Sequence, residues 1–355
     1  MPSASELLEA IARLPVGRVN LMEVCGTHTM SIARSGIKSL LPENIQLLSG
    51  PGCPVCVTPA PVIDAILELA MEKNVTIATY GDMVRVPGSA PGDSLQRRRA
   101  LGAKVEVVYS PVDAVELARE NPHREIIFLG AGFETTAPGT AAAVRTAEEE
   151  GVKNFSVFSM LKTVEPALRA LIHMEGFNVQ GFLCPGHVAT ILGEKGFQFL
   201  PEEYGLPAVI GGFEAEDILL AIYLLLKQLS EGRPRVQNAY PRAVSREGNA
   251  LALKMMEGCL EPRCDLWRGL GEIAGSGLKL RDELRDFDAE RKFGVKIKPD
   301  AKPSACRCGE VITGRLSPSG CGLFGKRCTP EDPMGPCMVS SEGACAAAYK
   351  YQAVL

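Results

Sequence analysis

Short apolar runs alternate with segments of helical periodicity along residues 1–228. Each run has five or six residues and leads into a loop rich in Gly, Pro, Cys or Thr. Runs that are apolar almost throughout indicate parallel strands buried on both faces of a sheet. The runs are VNLMEV (19–24), IQLLS (45–49), VTIATY (75–80), VEVVYS (105–110), EIIFLG (125–130), FSVFSM (155–160), VQGFLC (179–184) and PAVIGG (207–212).

Eight strand–helix units can form either one closed barrel or two four-stranded open sheets. The polar stretch NPHR (121–124) interrupts the pattern halfway along and favours two sheets. We therefore predict two similar parallel-sheet α/β domains that face a cleft, over residues 1–120 and 121–230. A third, C-terminal domain is predicted over residues 231–355.

Charge and composition exclude several classes of protein. The 355 residues carry a formal net charge of −4 without a large basic tract, which argues against a nucleic-acid-binding surface. The longest apolar run, at 218–226, is too short to cross a bilayer, which takes about 20 residues. The N-terminus shows no basic region followed by an apolar core, so we predict a cytoplasmic protein without a membrane span.

Five loops that follow predicted strands carry the reactive residue types. The carboxyl ends of parallel strands meet at one edge of a sheet, where α/β proteins bind their ligands. We therefore expect these loops to share one cleft. They are CGTHTM (25–30), GPGCPVC (50–56), GDMVRVPG (81–88), GAGFETTAPG (130–139) and CPGH (184–187).

The cysteines of these loops are candidates for redox or metal chemistry. Cys53 and Cys56 form a Cys-x-x-Cys at the start of a predicted helix, where thiolates are favoured for disulfide exchange or metal binding. Two small core residues are the alternative. Cys25 and His28 form a Cys-x-x-His that can hold an iron, activate the cysteine as a nucleophile, or simply pack. His187 is a similar candidate.

Polar residues of two further loops have two interpretations each. Glu134, Thr135 and Thr136 stand at a predicted helix start, where they either cap the helix or orient a substrate. Asp82 and Arg85 form either a local ion pair or an anion clamp.

The C-terminal region changes character. Residues 281–302 are highly charged and predict a solvated helix followed by a short strand, FGVKIK (293–298). Residues 303–345 contain six cysteines among many Gly and Pro residues, and such a segment cannot build an apolar core of its own. The six are Cys306, Cys308, Cys321, Cys328, Cys337 and Cys345.

The spacing of these cysteines favours an iron–sulfur domain. None of the six forms a Cys-x2–4-Cys pair with another, and the last histidine is His187, which argues against zinc. Four of the six give C-x14-C-x6-C-x16-C, and widely spaced thiolates from loops suit a [4Fe–4S] cluster. Those four are Cys306, Cys321, Cys328 and Cys345. Cys308 and Cys337 remain for a thiol pair; six buried or disulfide-bonded cysteines are the alternative.

Five motifs together resemble the HypD family of hydrogenase maturation proteins. They occur in the order of that family, from near residue 20 to the C-terminus. The motifs are MEVCGTHTM (22–30), GPGCPVCVTP (50–59), GAGFETTAP (130–138), CPGHV (184–188) and CTPEDPMGPCMVSSEGAC (328–345).

The resemblance implies a role in building the Fe(CN)2CO group of [NiFe]-hydrogenases. A member of this family is a redox-active assembly scaffold rather than a stand-alone enzyme, with electrons supplied through a [4Fe–4S] cluster and thiol pairs. The implied partners are a HypC-type chaperone and a HypE-type cyanide donor, with a HypF-type protein upstream. The hydrogenase large subunit is an indirect partner.

The resemblance also assigns roles to individual residues. The iron of the Fe(CN)2CO intermediate is implied to bind at three thiols with His28 beside them, and the second thiol pair connects cluster and cleft. Glu342 is implied to be functional, and Thr27 belongs to the cleft. The iron-site thiols are Cys25, Cys53 and Cys56; the cluster ligands are Cys306, Cys321, Cys328 and Cys345; the second pair is Cys308 and Cys337.

Two other functions share some of these features. A stand-alone, cluster-dependent thiol–disulfide oxidoreductase would use the tail and the Cys-x-x-Cys but has no need of Cys25. A hydro-lyase that uses a cluster iron as Lewis acid usually leaves one iron without a cysteine, whereas four cysteines are matched here.

Overall fold

Two parallel sheets contain all eight predicted strands. The structure is a computed structural model and describes residues 2–298 and 305–351. Its strands are β1 (Val19–Glu23), β2 (Ile45–Ser49), β3 (Val75–Thr79), β4 (Lys104–Val107), β5 (Glu125–Gly132), β6 (Phe155–Leu161), β7 (Gly181–Pro185), β8 (Ala208–Gly211), β9 (Val236–Asn238), β10 (Leu260–Trp267) and β11 (Gly271–Leu280).

Helices connect the strands and cover the sheets. The α-helices are α1 (Ala4–Ala12), α2 (Gly26–Arg34), α3 (Ile37–Leu40), α4 (Pro54–Val57), α5 (Ala60–Leu69), α6 (Leu95–Ala100), α7 (Pro111–Glu120), α8 (Ala137–Glu149), α9 (Val164–Ile172), α10 (Gly186–Leu192), α11 (Phe199–Tyr204), α12 (Ala215–Glu231), α13 (Ala250–Cys259), α14 (Ala289–Lys292), α15 (Cys308–Val311) and α16 (Ala344–Tyr351). Short 3-10 helices span Gly81–Arg85, Glu194–Phe197, Asp282–Phe287, Pro318–Gly320 and Pro336–Met338.

Both sheets are open and parallel, which excludes the barrel. Sheet A has the strand order β2-β1-β7-β8-β9, and sheet B has the order β4-β3-β5-β6. The prediction of two α/β units with parallel sheets is confirmed.

The predicted grouping of the first four and second four strands is wrong. Sheet B is formed by consecutive strands and is inserted between β2 and β7 of sheet A, because β1 pairs with β7. A boundary at residue 120 would divide sheet B, and β9 joins sheet A from beyond residue 230. The predicted ranges therefore do not follow the two sheets, and the division into three domains stays a prediction.

The polar stretch 121–124 is a turn inside sheet B rather than a domain border. The Asn154 side chain donates to the carbonyl oxygens of Ala118, Asn121 and Arg124 at 2.8–3.1 Å. Arg124 in turn donates to the Thr76 hydroxyl on β3 at 2.7 Å. The polar groups of this turn therefore form hydrogen bonds that connect β5 to its neighbours in the sheet.

Three apolar clusters hold the layers together. On β5, Ile126 and Phe128 face the cluster built with α7 and α8, whereas Ile127 and Leu129 face the cluster between the two sheets. This alternation follows from the two-residue period of a strand, and burial of both faces explains why the run is apolar throughout. The third cluster packs α1 and α12 on the outer face of sheet A.

An antiparallel hairpin, β10–β11, is a feature that sequence reasoning missed. Between its buried end residues, the first strand alternates half-buried and exposed positions and carries several charged residues, so it lacks the continuous apolar run of the other strands. The predicted strand 293–298 is wrong, and the helix predicted before it is a 3-10 turn followed by α14. Residues 299–302 of that prediction lie outside the described residues.

Across residues 2–298 and 305–351, none of the helices combines the length and apolar character that a membrane crossing requires.

Candidate functional site

A cavity of about 510 Å³ lies where the carboxyl ends of the two sheets face each other. All five of the loops singled out above contribute to its lining, and residues 340–342 of the cysteine-rich tail close one side. The lining includes Cys25, Gly52, Pro54, Asp82, Thr135, Thr136, His187, Ser340, Ser341 and Glu342.

Cys25 follows β1 directly and stands at the start of α2. It is buried, and burial, followed by the nearby Glu342 carboxylate, raises the pKa of its thiol to about 12. The backbone N–H groups of His28 and Thr27 act in the opposite direction and lower that pKa. The sulfur thus lies at the N-terminus of α2 and is shielded from water.

Glu23 is a buried residue of the site that sequence reasoning missed. Its carboxylate accepts the Cys25 N–H at 3.2 Å and the Thr29 hydroxyl at 2.6 Å, which fixes the turn from β1 into α2. Burial raises the pKa of Glu23 to about 7. An acidic residue at the end of an otherwise apolar strand is the sequence signal for it.

Two glycines allow the backbone to pack tightly around Cys25. A Cβ atom on Gly52 would lie 2.2 Å from the Cys25 nitrogen, and a Cβ on Gly26 would lie 2.3 Å from the Glu342 Cβ. No side chain fits at such distances, so both loops need glycine at these positions.

Cys53 and Cys56 form a disulfide at the start of α4. The Cys56 N–H also donates to the Cys53 sulfur at 3.1 Å. Across the described ranges, no three His, Cys, Asp or Glu side chains are arranged to hold a single metal ion. Cys25 follows β1, and Cys53 and Cys56 follow the neighbouring strand β2, where they are bonded to each other.

The His28 ring is directed toward sheet A. Its Nε2 lies 2.9 Å from the Gly212 carbonyl oxygen, and its Nδ1 is buried without a hydrogen-bond partner. Burial lowers the pKa of His28 to about 4, so the ring is neutral at physiological pH. Phe213 lies between the rings of His28 and His187, with centroids 4.9 and 4.0 Å away. Of the two histidines, His187 lines the cavity.

The GFETT loop divides between the cleft and the interior. Thr135 and Thr136 line the cavity, whereas Glu134 is buried and accepts the N–H of Val164 at 2.9 Å. It thereby caps α9 rather than the helix that follows its own loop. The second Glu134 oxygen has no hydrogen-bond partner, and burial raises the pKa of this residue to about 7.

We expect the Glu134→Gln substitution to stabilise the protein at pH 8 by about 3 kcal/mol and to have little effect at pH 4.5. Glu134 has a folded-state pKa near 7 and an ordinary value of 4.5. Its favourable contribution is therefore present below pH 4.5 and is lost as the pH rises through 7. Urea unfolding of both proteins at the two pH values measures this difference. Equal stabilisation at both would contradict it.

Residues 340–342 bind both halves of the cleft. Asp82, which follows β3 of sheet B, accepts the Ser341 N–H and hydroxyl at 2.7 Å each. Glu342 accepts the Thr27 hydroxyl of α2 at 3.0 Å. None of the ion pairs within the described residues joins Asp82 to Arg85, so the expectation of a local ion pair is wrong.

The six tail cysteines lie close to one another. The Cys308 side chain contacts those of Cys306 and Cys337, and the Cys337 side chain contacts that of Cys345. Hydrogen bonding to Cys308 and burial raise the pKa of Cys306. Burial, and then the negative charges of Cys306 and Cys321, raise that of Cys328.

The surroundings of these sulfurs fit a group held by thiolates. Backbone N–H groups point at two of them, from Cys345 to Cys337 at 3.2 Å and from Met334 to Cys328 at 3.4 Å. A Cβ on Gly335 would lie 2.3 Å from the Cys306 sulfur, so the chain leaves room there for the sulfur alone. Hydrogen bonds to sulfur are typical of iron–sulfur sites.

The remaining cysteines have structural surroundings. Cys184 is buried in β7, and the buried Cys259 sulfur lies 3.7 Å from the Ala141 carbonyl oxygen. Cys264 is exposed on β10 and contacts Glu272.

The chain is similar to hydrogenase maturation proteins along nearly its whole length. The HypD family model, described as "Hydrogenase formation hypA family", matches residues 3–352. Identity to Hydrogenase maturation factor HypD of Rhodobacter capsulatus is 46% over 360 residues, covering 98% of this chain and 95% of that protein. The protein of the same name from Cupriavidus necator is 44% identical over 95% of this chain and 90% of its own. The one from Escherichia coli is 42% identical over 94% and 89%.

Proposed function

Because the chain belongs to the HypD family of hydrogenase maturation factors, we propose that it is a redox-active scaffold for assembling the Fe(CN)2CO group of [NiFe]-hydrogenases. It works together with a HypC-type chaperone and is not a stand-alone enzyme. The observation that carries the proposal is one cavity that holds Cys25 beside the loop of the Cys53–Cys56 disulfide. A third thiol next to a redox pair has no purpose in simple disulfide exchange.

The iron is the cargo of this cleft. Low-spin iron that carries cyanide and carbon monoxide is soft and electron-rich, and thiolates are suitable anchors for it. Cys25 offers one thiol, and reduction of the disulfide releases two more. Backbone N–H groups at the start of α2 lower the pKa of the Cys25 thiol, against the larger opposite effect of burial and Glu342, and the Cys56 N–H donates to the Cys53 sulfur.

The tail is proposed to hold a [4Fe–4S] cluster on four cysteines. When bound, such a cluster supplies one-electron transfer. Cys308 and Cys337 are in contact, and the chain runs from Cys337 to Ser340, whose hydroxyl reaches the Cys53 sulfur at 3.3 Å. This short connection supports a role for the second thiol pair between tail and cleft. The four ligands would be Cys306, Cys321, Cys328 and Cys345.

The partners of the scaffold enter through the same cleft. A HypE-type protein is proposed to deliver cyanide made with a HypF-type protein, and the finished group passes indirectly to the hydrogenase large subunit. The cavity is lined in part by Tyr109, a residue that is 93% exposed. An exposed aromatic residue at the mouth suits contact with a partner protein.

The Cys25→Ala substitution tests the scaffold. In cells that lack their own HypD protein, we expect the unchanged chain to restore hydrogenase activity and Cys25→Ala to leave it at background. Infrared spectra of the chain purified with its HypC-type partner should show cyanide and carbonyl bands, and these should be absent from Cys25→Ala.

Disulfide turnover separates the scaffold from the oxidoreductase. Cys25→Ala is expected to reduce and reoxidise its Cys53–Cys56 pair as the unchanged chain does. If Cys25→Ala supports maturation, the scaffold proposal fails. If it keeps both maturation and disulfide turnover, the stand-alone thiol–disulfide oxidoreductase, which has no need of Cys25, is favoured instead. If it loses both, Cys25 acts on the redox pair itself and not as a separate anchor for iron, which also contradicts the scaffold proposal.

A further inference from the structure

The hydroxyl of Ser340 lies between the Cys53 sulfur and the Asp82 carboxylate. Its oxygen is 3.3 Å from Cys53 Sγ and 3.2 Å from Asp82 Oδ2. Ser340 is 1% exposed, whereas Asp82 is half-buried. The three residues come from separate parts of the chain: the loop after β2, the loop after β3 and the cysteine-rich tail.

The hydrogen and one of the two lone pairs of the Ser340 hydroxyl have defined partners. A hydroxyl has one hydrogen to donate and two lone pairs that accept. Asp82 can only accept, so the hydrogen points to it. The Glu342 N–H donates to the Ser340 oxygen at 3.2 Å and takes one lone pair. The remaining lone pair is available to Cys53.

This arrangement suits reduced Cys53 better than the disulfide. A disulfide sulfur has no hydrogen to donate, so the lone pair of Ser340 stays unused while Cys53 is oxidised. The thiol of reduced Cys53 has an S–H that can donate to this lone pair of the Ser340 oxygen. A buried hydrogen bond of this kind stabilises the state in which it forms.

We propose that Asp82 is a positioning residue for the Cys53–Cys56 pair: by orienting Ser340 it favours the reduced dithiol over the disulfide. The inference rests on the proposed redox role of this pair. Asp82 also accepts both donors of Ser341, which anchors the tail segment against the disulfide loop. The carboxylate therefore sets both the place and the direction of the Ser340 hydroxyl.

The reaction concerned is a thiol–disulfide exchange. Two thiols of a reductant become one disulfide, and the Cys53–Cys56 S–S bond becomes two S–H groups, with two electrons and two protons transferred. Glutathione serves as that reductant in the test. Its ratio to glutathione disulfide sets the equilibrium.

The experiment measures this equilibrium on the full chain. The protein is equilibrated anaerobically with glutathione buffers, the free thiols are alkylated, and the peptide that contains Cys53 and Cys56 is quantified by mass spectrometry. We expect Ser340→Ala and Asp82→Asn each to shift the equilibrium three- to tenfold toward the disulfide. Asparagine keeps the shape of Asp82 but can donate, so it no longer fixes the direction of the hydroxyl.

Ser341→Ala is the matched control. It removes a hydroxyl that also binds Asp82 but keeps the Ser341 N–H bond to that carboxylate and the Ser340 bond to Cys53, so the equilibrium should stay within twofold. Because Asp82 acts through Ser340, the double variant Asp82→Asn/Ser340→Ala should match Ser340→Ala alone. Trp267 fluorescence verifies that each variant is folded.

Two results would overturn the proposal. One is an unchanged equilibrium in folded Ser340→Ala; the other is a full additional effect of Asp82→Asn in the Ser340→Ala background. Either leaves the redox role of the pair intact. A pair that stays oxidised at every glutathione ratio in the unchanged chain would instead contradict that role, and this inference with it.

Discussion

Asp265→Ala is expected to lower the free energy of unfolding by about 3–5 kcal/mol, because it removes the partner of a buried charge. The Lys162 side chain is 2% exposed, and its ammonium lies 2.6 Å from the Asp265 carboxylate. Its other polar contact is the Leu266 carbonyl oxygen at 2.9 Å. Without Asp265, the ammonium either stays charged with only Glu290, which is paired with Arg263, as a nearby negative charge, or loses its proton.

The pair matters because it anchors the β10–β11 hairpin to sheet B. Lys162 follows β6, and Asp265 lies in β10 two residues before Trp267. The tip of the hairpin then reaches the disulfide loop, where Arg268 donates to the carbonyl oxygens of Val57 and Thr58. Loss of the pair should therefore loosen the contact behind Cys56.

Urea unfolding followed through Trp267, the single tryptophan, measures the effect. Burial lowers the pKa of Lys162, and removal of Asp265 lowers it further. The destabilisation should therefore decrease as the pH rises from 7 to 10, where the buried amine sheds its proton before the unfolded chain does.

Two variants serve as controls for the buried charge. Glu68→Ala removes the partner of Lys298 in an exposed pair and should leave the midpoint unchanged. Replacing both charges, as in Lys162→Met/Asp265→Leu, should recover most of the loss. A loss from Asp265→Ala that does not depend on pH would show that the charge of Lys162 is not its cause.

The strands were predictable from sequence, whereas their arrangement was not. A strand buried on both faces is apolar at nearly every position, as residues 126–132 of β5 show, and a single sequence reveals such a run. The pairing of β1 with β7 has no such signal in the sequence, because every strand presents similar apolar surfaces. The polar turn at 121–124 then suggested a border where sheet B continues.

The site was predictable to the extent that chemistry is visible in residue type. Cysteine loops at strand ends converge because parallel strands end at one edge, so the cleft follows from the order of elements. Contacts between distant segments do not follow: Ser340 reaches Cys53 and Asp82 across more than 250 positions. The direction of the His28 ring, which binds Gly212, depends on packing that spacing alone does not determine.

The anaerobically purified chain is expected to contain about four iron atoms and four acid-labile sulfides, and Cys321→Ala is expected to lose both. Cys321 is partly exposed, in contrast to the buried Cys328 and Cys345. Alanine at position 321 therefore removes a ligand with little loss of core packing, and the fold should survive. Iron and sulfide analysis with visible spectra on both proteins measures the result.

Cys264→Ala is the matched control for this loss. Its thiol is exposed on β10 and contacts Glu272 rather than the tail cysteines, so iron and sulfide should be unchanged. Zinc, or the absence of metal from a folded tail, would contradict the cluster. About one iron without sulfide remaining in Cys321→Ala would belong instead to the thiols of the cleft. Within the described residues, the apolar side chains of the tail belong to the cluster between the two sheets and form no separate one, so we expect loss of the iron–sulfur cluster to loosen residues 305–345 first. The two sheets should stay folded, because two of their three apolar clusters contain no residue of the tail.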